Sequence, residues 1–141
     1  MDYEIRWLTS ADEKILDRVA PDVFDEPVDP VRRAAYLADP QHHMAVAIKD
    51  GEVVAQVAGV VYRHPDKAPE LFIDEVGVTP ALRRRGVGRA LLDAMLARGN
   101  ALGCEEAWVG TEHDNAPARG LYESYGVPPQ PFMMYTFALK D

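Results

Sequence analysis

The chain has a single cysteine, Cys104, so no internal disulfide can brace it. That suits a reducing compartment, and the cytoplasm is the expected location. No apolar run comes near the roughly 18 residues that a membrane span needs, so no membrane partner is expected. The first residues, Met1-Asp2-Tyr3-Glu4, do not read as a basic-then-apolar leader. Positive charge is scarce: 15 lysines and arginines face 23 aspartates and glutamates, a net charge of −8. Nucleic acid is therefore not an expected partner, because cations meeting phosphates drive its binding. His42-His43 has no third residue at ligand spacing, so no metal is expected. Repeats, linkers and low-complexity stretches are absent from the sequence. With 141 residues and 48% hydrophobic content, one globular domain over residues 1–141 is expected, built on one core.

Against this acidic background, Arg83, Arg84, Arg85 and Arg89 are gathered into seven residues. They flank a turn containing Gly86 and Gly88, which follows an apolar strand and opens a long amphipathic helix. The glycines let the backbone approach a ligand. The first helix amides lack intrahelical partners, and the dipole makes that end positive. The stretch is a site for a multiply charged phosphate group. A dinucleotide fold is set aside, because its glycine turn follows the first strand of the chain's βαβ unit and this one comes mid-chain.

Tyr3 to Thr9 alternates as a strand does, and a helix from Ala11 to about Ala20 follows, stopped by Pro21. Asp22 to Asp29 is an acidic loop. Asp29-Pro30 then starts a second helix to about Ala38. His43–Lys49 and Glu52–Tyr62 read as strands joined by Asp50-Gly51, a hairpin signal. Glu70–Val78 is the next strand. Arg85 to Leu102 is the main helix, with Val87, Leu91, Leu92, Met95 and Leu96 inward. Cys104–Thr111 is a strand carrying the cysteine as a small buried residue. Asn115 caps a short helix to about Tyr125, and Phe132–Leu139 is a last strand.

The segment Val76-Gly77-Val78 followed by Arg83-x-x-Gly86-x-Gly88 resembles the pyrophosphate motif of the GNAT superfamily of acyl-CoA-dependent N-acetyltransferases. A second stretch, Asn115-x-x-Ala118-x-x-Leu121-Tyr122-Glu123-x-x-Gly126, is similar to that family's second cofactor-side signature. The resemblance covers nearly the whole chain. It implies the GNAT fold, an α/β (α+β) single domain: a mixed, mostly antiparallel sheet flanked by helices and splayed at the cofactor strand. It also implies acetyl-CoA as the acetyl donor.

By this resemblance, Val76, Gly77 and Val78 hold the pantetheine arm. Arg83, Arg84, Arg85, Gly86, Val87, Gly88 and Arg89 line the pyrophosphate site, and Asn115 and Ala118 belong to the cofactor side. Tyr122 lies there too and protonates the leaving thiolate. Acetyl transfer also needs a group that takes the acceptor ammonium's proton. Glu75, just before the cofactor segment, is the candidate base; Asp74 beside it is expected on the opposite face. Glu112, His113 and Asp114 follow the next strand and border the same cleft, with His113 as a second candidate base.

Within the superfamily the chain most resembles the small aminoglycoside 3-N-acetyltransferases. The resemblance rests on the segment Tyr62 to Val78, with its proline-bearing loop and then Glu70-Leu71-Phe72-Ile73-Asp74-Glu75-Val76-Gly77-Val78, on Asn100-Ala101-Leu102-Gly103 and on the stretch from Glu112 to Tyr122. Those relatives carry aspartate at the position of Glu75 and tyrosine at the position of His113. The implied acceptor is a polycationic aminoglycoside, met by Asp25, Glu26, Asp74, Glu75, Glu112, His113 and Asp114 through charge-assisted hydrogen bonds. Antibiotic resistance is the implied role, and a homodimer is compatible with the apolar last strand. Acetylation of a polyamine or a peptide N-terminus, and a non-catalytic acyl-CoA sensor, are the alternatives.

Overall fold

The alternating start becomes β1 (Glu4–Trp7), the first strand of a sheet in a computed structural model that describes residues 2–140. β2 (His42–Lys49), β3 (Glu52–Tyr62), β4 (Glu70–Val78) and β5 (Glu106–Trp108) follow in spatial order. Neighbours from β1 to β4 pair antiparallel, and β5 joins β4 in parallel. Asp50 and Gly51 turn the β2–β3 hairpin at positive φ, 53° and 76°. The chain forms two units, residues 2–110 and residues 111–140. The first holds the sheet, α1 (Pro30–Ala38) and α2 (Val87–Ala101). The second holds α3 (Ala116–Glu123).

The core of the first unit is apolar sheet against α2. Val46, Val53, Val57, Leu71 and Ile73 are buried, and so are Val87, Leu91, Leu92 and Met95. Leu96, expected among these, is only half-buried, and Gly99 takes a buried place on the helix instead.

The first expected helix is a kinked 3-10 helix, Ser10–Asp17. Asp12 accepts from the Thr9 amide at 2.8 Å and the Thr9 hydroxyl at 2.9 Å, closing a capping box. Its backbone leaves helical geometry there (φ −107°, ψ 16°). Directly after its end, Val53 claims the chain: its amide donates to the Arg18 carbonyl at 2.9 Å, and the Ala20 amide donates to its carbonyl at 2.8 Å. The acidic loop that follows is bracketed at its far side by α1. Asp29 caps that helix, accepting from Arg32 at 2.8 Å, and Arg33 of α1 reaches back to Asp17 at 2.7 Å.

Two strand expectations are corrected. Instead of running from Cys104 to Thr111, β5 covers three residues, paired with Glu70, Leu71 and Phe72. Beyond Phe72 the register of β4 breaks, since Glu75 faces Ala58 and Ile73 faces Gly59, which leaves Asp74 as an extra, bulged residue. A bulge bends its strand and ends regular pairing. At the other end β4 begins only at Glu70, so Cys104, two residues before β5, has no strand opposite it and is only half-buried. Phe132–Leu139 forms no strand, and its large apolar side chains are exposed. Within residues 111–140 the one regular element is α3, so this segment has no ladder to join.

Candidate functional site

The part of the first unit that the sequence reading assigns to the cofactor combines an open strand edge with a helix start. From Ile73 to Val78, β3 is the only described strand that pairs with β4, so Val76, Gly77 and Val78 offer backbone groups on the other edge. After a short 3-10 turn, Pro80–Leu82, the chain reaches Arg84 and Gly86, both left-handed at φ 64° and 81°. Nothing lies within 4 Å of where a Gly86 side chain would begin. Glycine is needed there for its conformation, not for space. The first bond inside α2 runs from Ala90 to Gly86 at 3.0 Å, so the amides of Val87 and Gly88 precede it. Arg84 and Arg85 are exposed beside this end. Arg83 is committed differently: its Nε donates to the Val78 carbonyl at 3.2 Å, tying the strand end to the turn. A pyrophosphate fits this arrangement of amides, positive dipole end and guanidinium groups.

The side that the sequence reading assigns to the acceptor is acidic. Glu75 is half-buried, and its carboxyl pKa is raised by that burial first and then by Asp25 and Asp74. The sequence reading puts Asp74 on the opposite face of the strand. The bulge interrupts that alternation, and both carboxylates act electrostatically on the Tyr36 phenol. Asp25 and Glu26 line a cleft of about 270 Å³ in the loop, together with Asp22 and Phe24. The structure thus brings Asp25 and Asp74 near enough to Glu75 to raise its pKa and sets Glu26 in the cleft that Asp25 lines.

The second unit carries the other expected residues. Asn115 caps α3, its Oδ1 accepting from Ala118 at 3.2 Å. Arg119 donates to the His113 carbonyl at 3.0 Å and pairs with Glu123 at 2.9 Å, which fastens the Glu112-His113-Asp114 loop to the helix. Tyr122 is half-buried on α3, and burial raises its pKa, so the phenol keeps its proton at neutral pH. Burial also pushes the Cys104 thiol up, opposite to what a reactive thiolate needs.

Two residues were missed. Tyr36, on α1, stacks on His42 with ring centroids 4.6 Å apart. Its hydroxyl is buried and has no hydrogen-bond partner among the described residues. Burial, then Asp74 and Glu75, drive its pKa well above the tyrosine range, so it stands as a neutral donor next to the acidic pair. An aromatic residue in an amphipathic helix gave no signal of this. Gln56 is wholly buried in β3. The signal existed, because a lone amide inside Val53-Val54-Ala55-Gln56-Val57-Ala58 asks for a reason.

Residues 5–127 match the sequence profile described as the acetyltransferase (GNAT) family. The N-alpha-acetyltransferase RimI of Mycobacterium tuberculosis (strain ATCC 25618 / H37Rv) is 32% identical over 123 residues, covering 84% of this chain and 74% of that protein. An aminoglycoside N(6')-acetyltransferase type 1 of Salmonella typhimurium is 29% identical over 104 residues, covering 65% and 71%. Among solved structures, the aminoglycoside acetyltransferase meta-AAC0020 from an uncultured soil metagenomic sample, in complex with sisomicin, superposes with a TM-score of 0.81. It is 18% identical, and the match covers 98% of this chain and 97% of that one. At that identity the likeness is one of fold.

Proposed function

The chain belongs to the acetyltransferase (GNAT) family and is an acetyl-CoA-dependent N-acetyltransferase, and from that premise we propose that its acceptor is an amine of an aminoglycoside. The observation that carries this reading is the acidic cluster of Asp25, Asp74 and Glu75 on the acceptor side, in the same unit as the cationic turn at α2. Several carboxylates close together favour a ligand with several ammonium groups. The aminoglycoside N(6')-acetyltransferase relative and the sisomicin-bound neighbour support it.

In this reading Glu75 takes the proton of the acceptor ammonium. The freed nitrogen attacks the thioester carbonyl carbon, the carbon–sulfur bond breaks, and Tyr122 gives its proton to the departing thiolate; the nitrogen then sheds its surplus proton, which restores the Tyr122 phenol. Val76, Gly77 and Val78 hold the pantetheine arm, and the turn from Arg83 to Arg89 holds the pyrophosphate. Asn115 and Ala118 complete the cofactor side, and Glu112, His113 and Asp114 contact the acceptor. Transfer is direct, through a ternary complex, since Cys104 is half-buried with a raised thiol pKa. The sequence resemblance favours the 3-amino group as the position acetylated, whereas the named Salmonella relative is a 6'-enzyme. We read resistance to the antibiotic as the role and the cytoplasm as the place. A second reading, acetylation of a peptide N-terminus, is favoured by the RimI relative.

The test is thiol release from acetyl-CoA with sisomicin, kanamycin, spermidine and a short peptide bearing a free N-terminus. Turnover with the aminoglycosides, and product NMR assigning the acetylated nitrogen, is the expected result. Turnover with the peptide alone moves the reading to the second. Turnover with none of them sinks both.

A further inference from the structure

Gln56 is 0% exposed in a strand whose neighbours are apolar. An amide in such a place costs free energy unless its hydrogens are used. Here Nε2 donates to the Val23 carbonyl at 3.3 Å, and the same amide lies close enough to the Glu75 carboxylate to favour its ionised form. Val23 sits in the acidic loop, between Asp22 and Asp25, and is itself buried. The register explains the meeting, because Gln56 faces Gly77 and Ala58 faces Glu75. Gly77 completes the junction: a Cβ there would fall 2.1 Å from the Val23 oxygen and 3.3 Å from the Gln56 nitrogen. Only glycine lets the loop backbone rest on β4 at that point. The Gln56 Oε1 is buried without a partner among the described residues. Filling space alone would favour methionine, which leaves no such orphan.

We propose that Gln56 is a positioning residue: a single buried amide anchors the acceptor loop at Val23 and orients the Glu75 carboxylate. The inference rests on the reading of Glu75 as the base. The groups that face Glu75 are Asp25 from the loop, Asp74 on its own strand, the Tyr36 phenol from α1 and Gln56 from β3. Among them the Gln56 amide is the group that favours the ionised carboxylate, the form a base requires before the ammonium arrives.

The experiment follows the Glu75 carboxyl carbon and the Gln56 side-chain amide by NMR through an acid titration of the full chain, in the wild type and in Gln56→Met. In the wild type the amide signals are expected to move with the Glu75 midpoint. In Gln56→Met that midpoint is expected to move upward, and the acid limb of kcat/KM moves with it. Acceptor KM rises roughly two- to tenfold, the loss of one hydrogen bond, with acetyl-CoA affinity unchanged. Wild-type amide signals that ignore the Glu75 titration overturn the proposal, and that arm needs no variant to fold. An unmoved midpoint in a folded Gln56→Met overturns it too. A wild type that acetylates no amine but keeps the coupled titration refutes the proposed function and leaves the geometry of Gln56 standing.

Discussion

Glu75, the proposed base, shows at the residue scale how an ionised, half-buried carboxylate weighs on stability. Burial, Asp25 and Asp74 raise its pKa in the folded chain. A carboxyl group with a raised folded pKa binds its proton more tightly when folded. Its contribution to stability is therefore full below the unfolded pKa and is lost as pH rises through the folded one. At neutral pH the ionised group is a burden on the fold. Glu75→Gln is expected to lower kcat by roughly 10²–10⁴-fold. It should leave acetyl-CoA affinity unchanged and raise Tm at pH 7, with the gain shrinking at pH 4. Thiol-release kinetics, an acetyl-CoA titration and calorimetry at the two pH values check this; unchanged turnover removes Glu75 as the base. In the wild type, kcat/KM should fall with acid at a pH above the usual glutamate range, for the same reason. Tyr122 behaves in the opposite sense. Its raised pKa keeps the phenol protonated, as the proposed acid requires, so Tyr122→Phe should slow turnover with acetyl-CoA affinity intact. A full-rate variant would mean that water protonates the sulfur.

The decisive element is the passage from β4 into α2. It carries a bulge at Asp74, an edge unpaired by any described strand from Ile73 to Val78, and a left-handed glycine at the helix start. Gly86→Ala meets no neighbour, so its cost is conformational, about 1–2 kcal/mol for a left-handed residue with a side chain. The chain is expected to spend that by loosening the turn. Acetyl-CoA Kd should then rise roughly five- to thirtyfold, with acceptor KM little changed, as isothermal titration and steady-state kinetics would report. An unchanged Kd would mean that the turn does not bind the cofactor. The same passage limits β5. Once the bulge redirects β4, a strand from Cys104 to Thr111 has only Glu70, Leu71 and Phe72 to pair with.

Charge acts at the scale of the whole molecule. A chain of net charge −8 with four of its arginines gathered at one turn attracts polycations broadly and an anion locally. Surface attraction is screened over about 8–10 Å at ordinary ionic strength. Raising salt from roughly 20 to 300 mM should therefore cut kcat/KM for a tetracationic acceptor several-fold and barely alter it for a monoamine. Equal loss for both would place the effect elsewhere than in acceptor attraction. Among the described residues no helix is long and apolar enough to cross a membrane.

Much of this protein was legible from local pattern, because its signals are local. The Asp50-Gly51 hairpin, the Asp29-Pro30 and Asn115 caps, and the α2 face from Val87 to Met95 are each written within a few residues. The glycine–arginine turn at the start of α2 reads the same way, and its spacing to Asn115 and Tyr122 was enough to point to the family. Tertiary structure alone decided what depends on partners distant in sequence. A strand needs a ladder, so β5 stops after three residues and Phe132–Leu139 forms none. A helix yields to competing hydrogen bonds, so Thr9 and Val53 reshape the segment from Ser10 to Ala20. The alternation of Asp74 and Glu75 ends at a bulge that no periodicity announces. The junction of Gln56, Val23 and Gly77, and the Tyr36 phenol beside two carboxylates, exist because the fold brings remote residues within hydrogen-bonding or Coulombic reach.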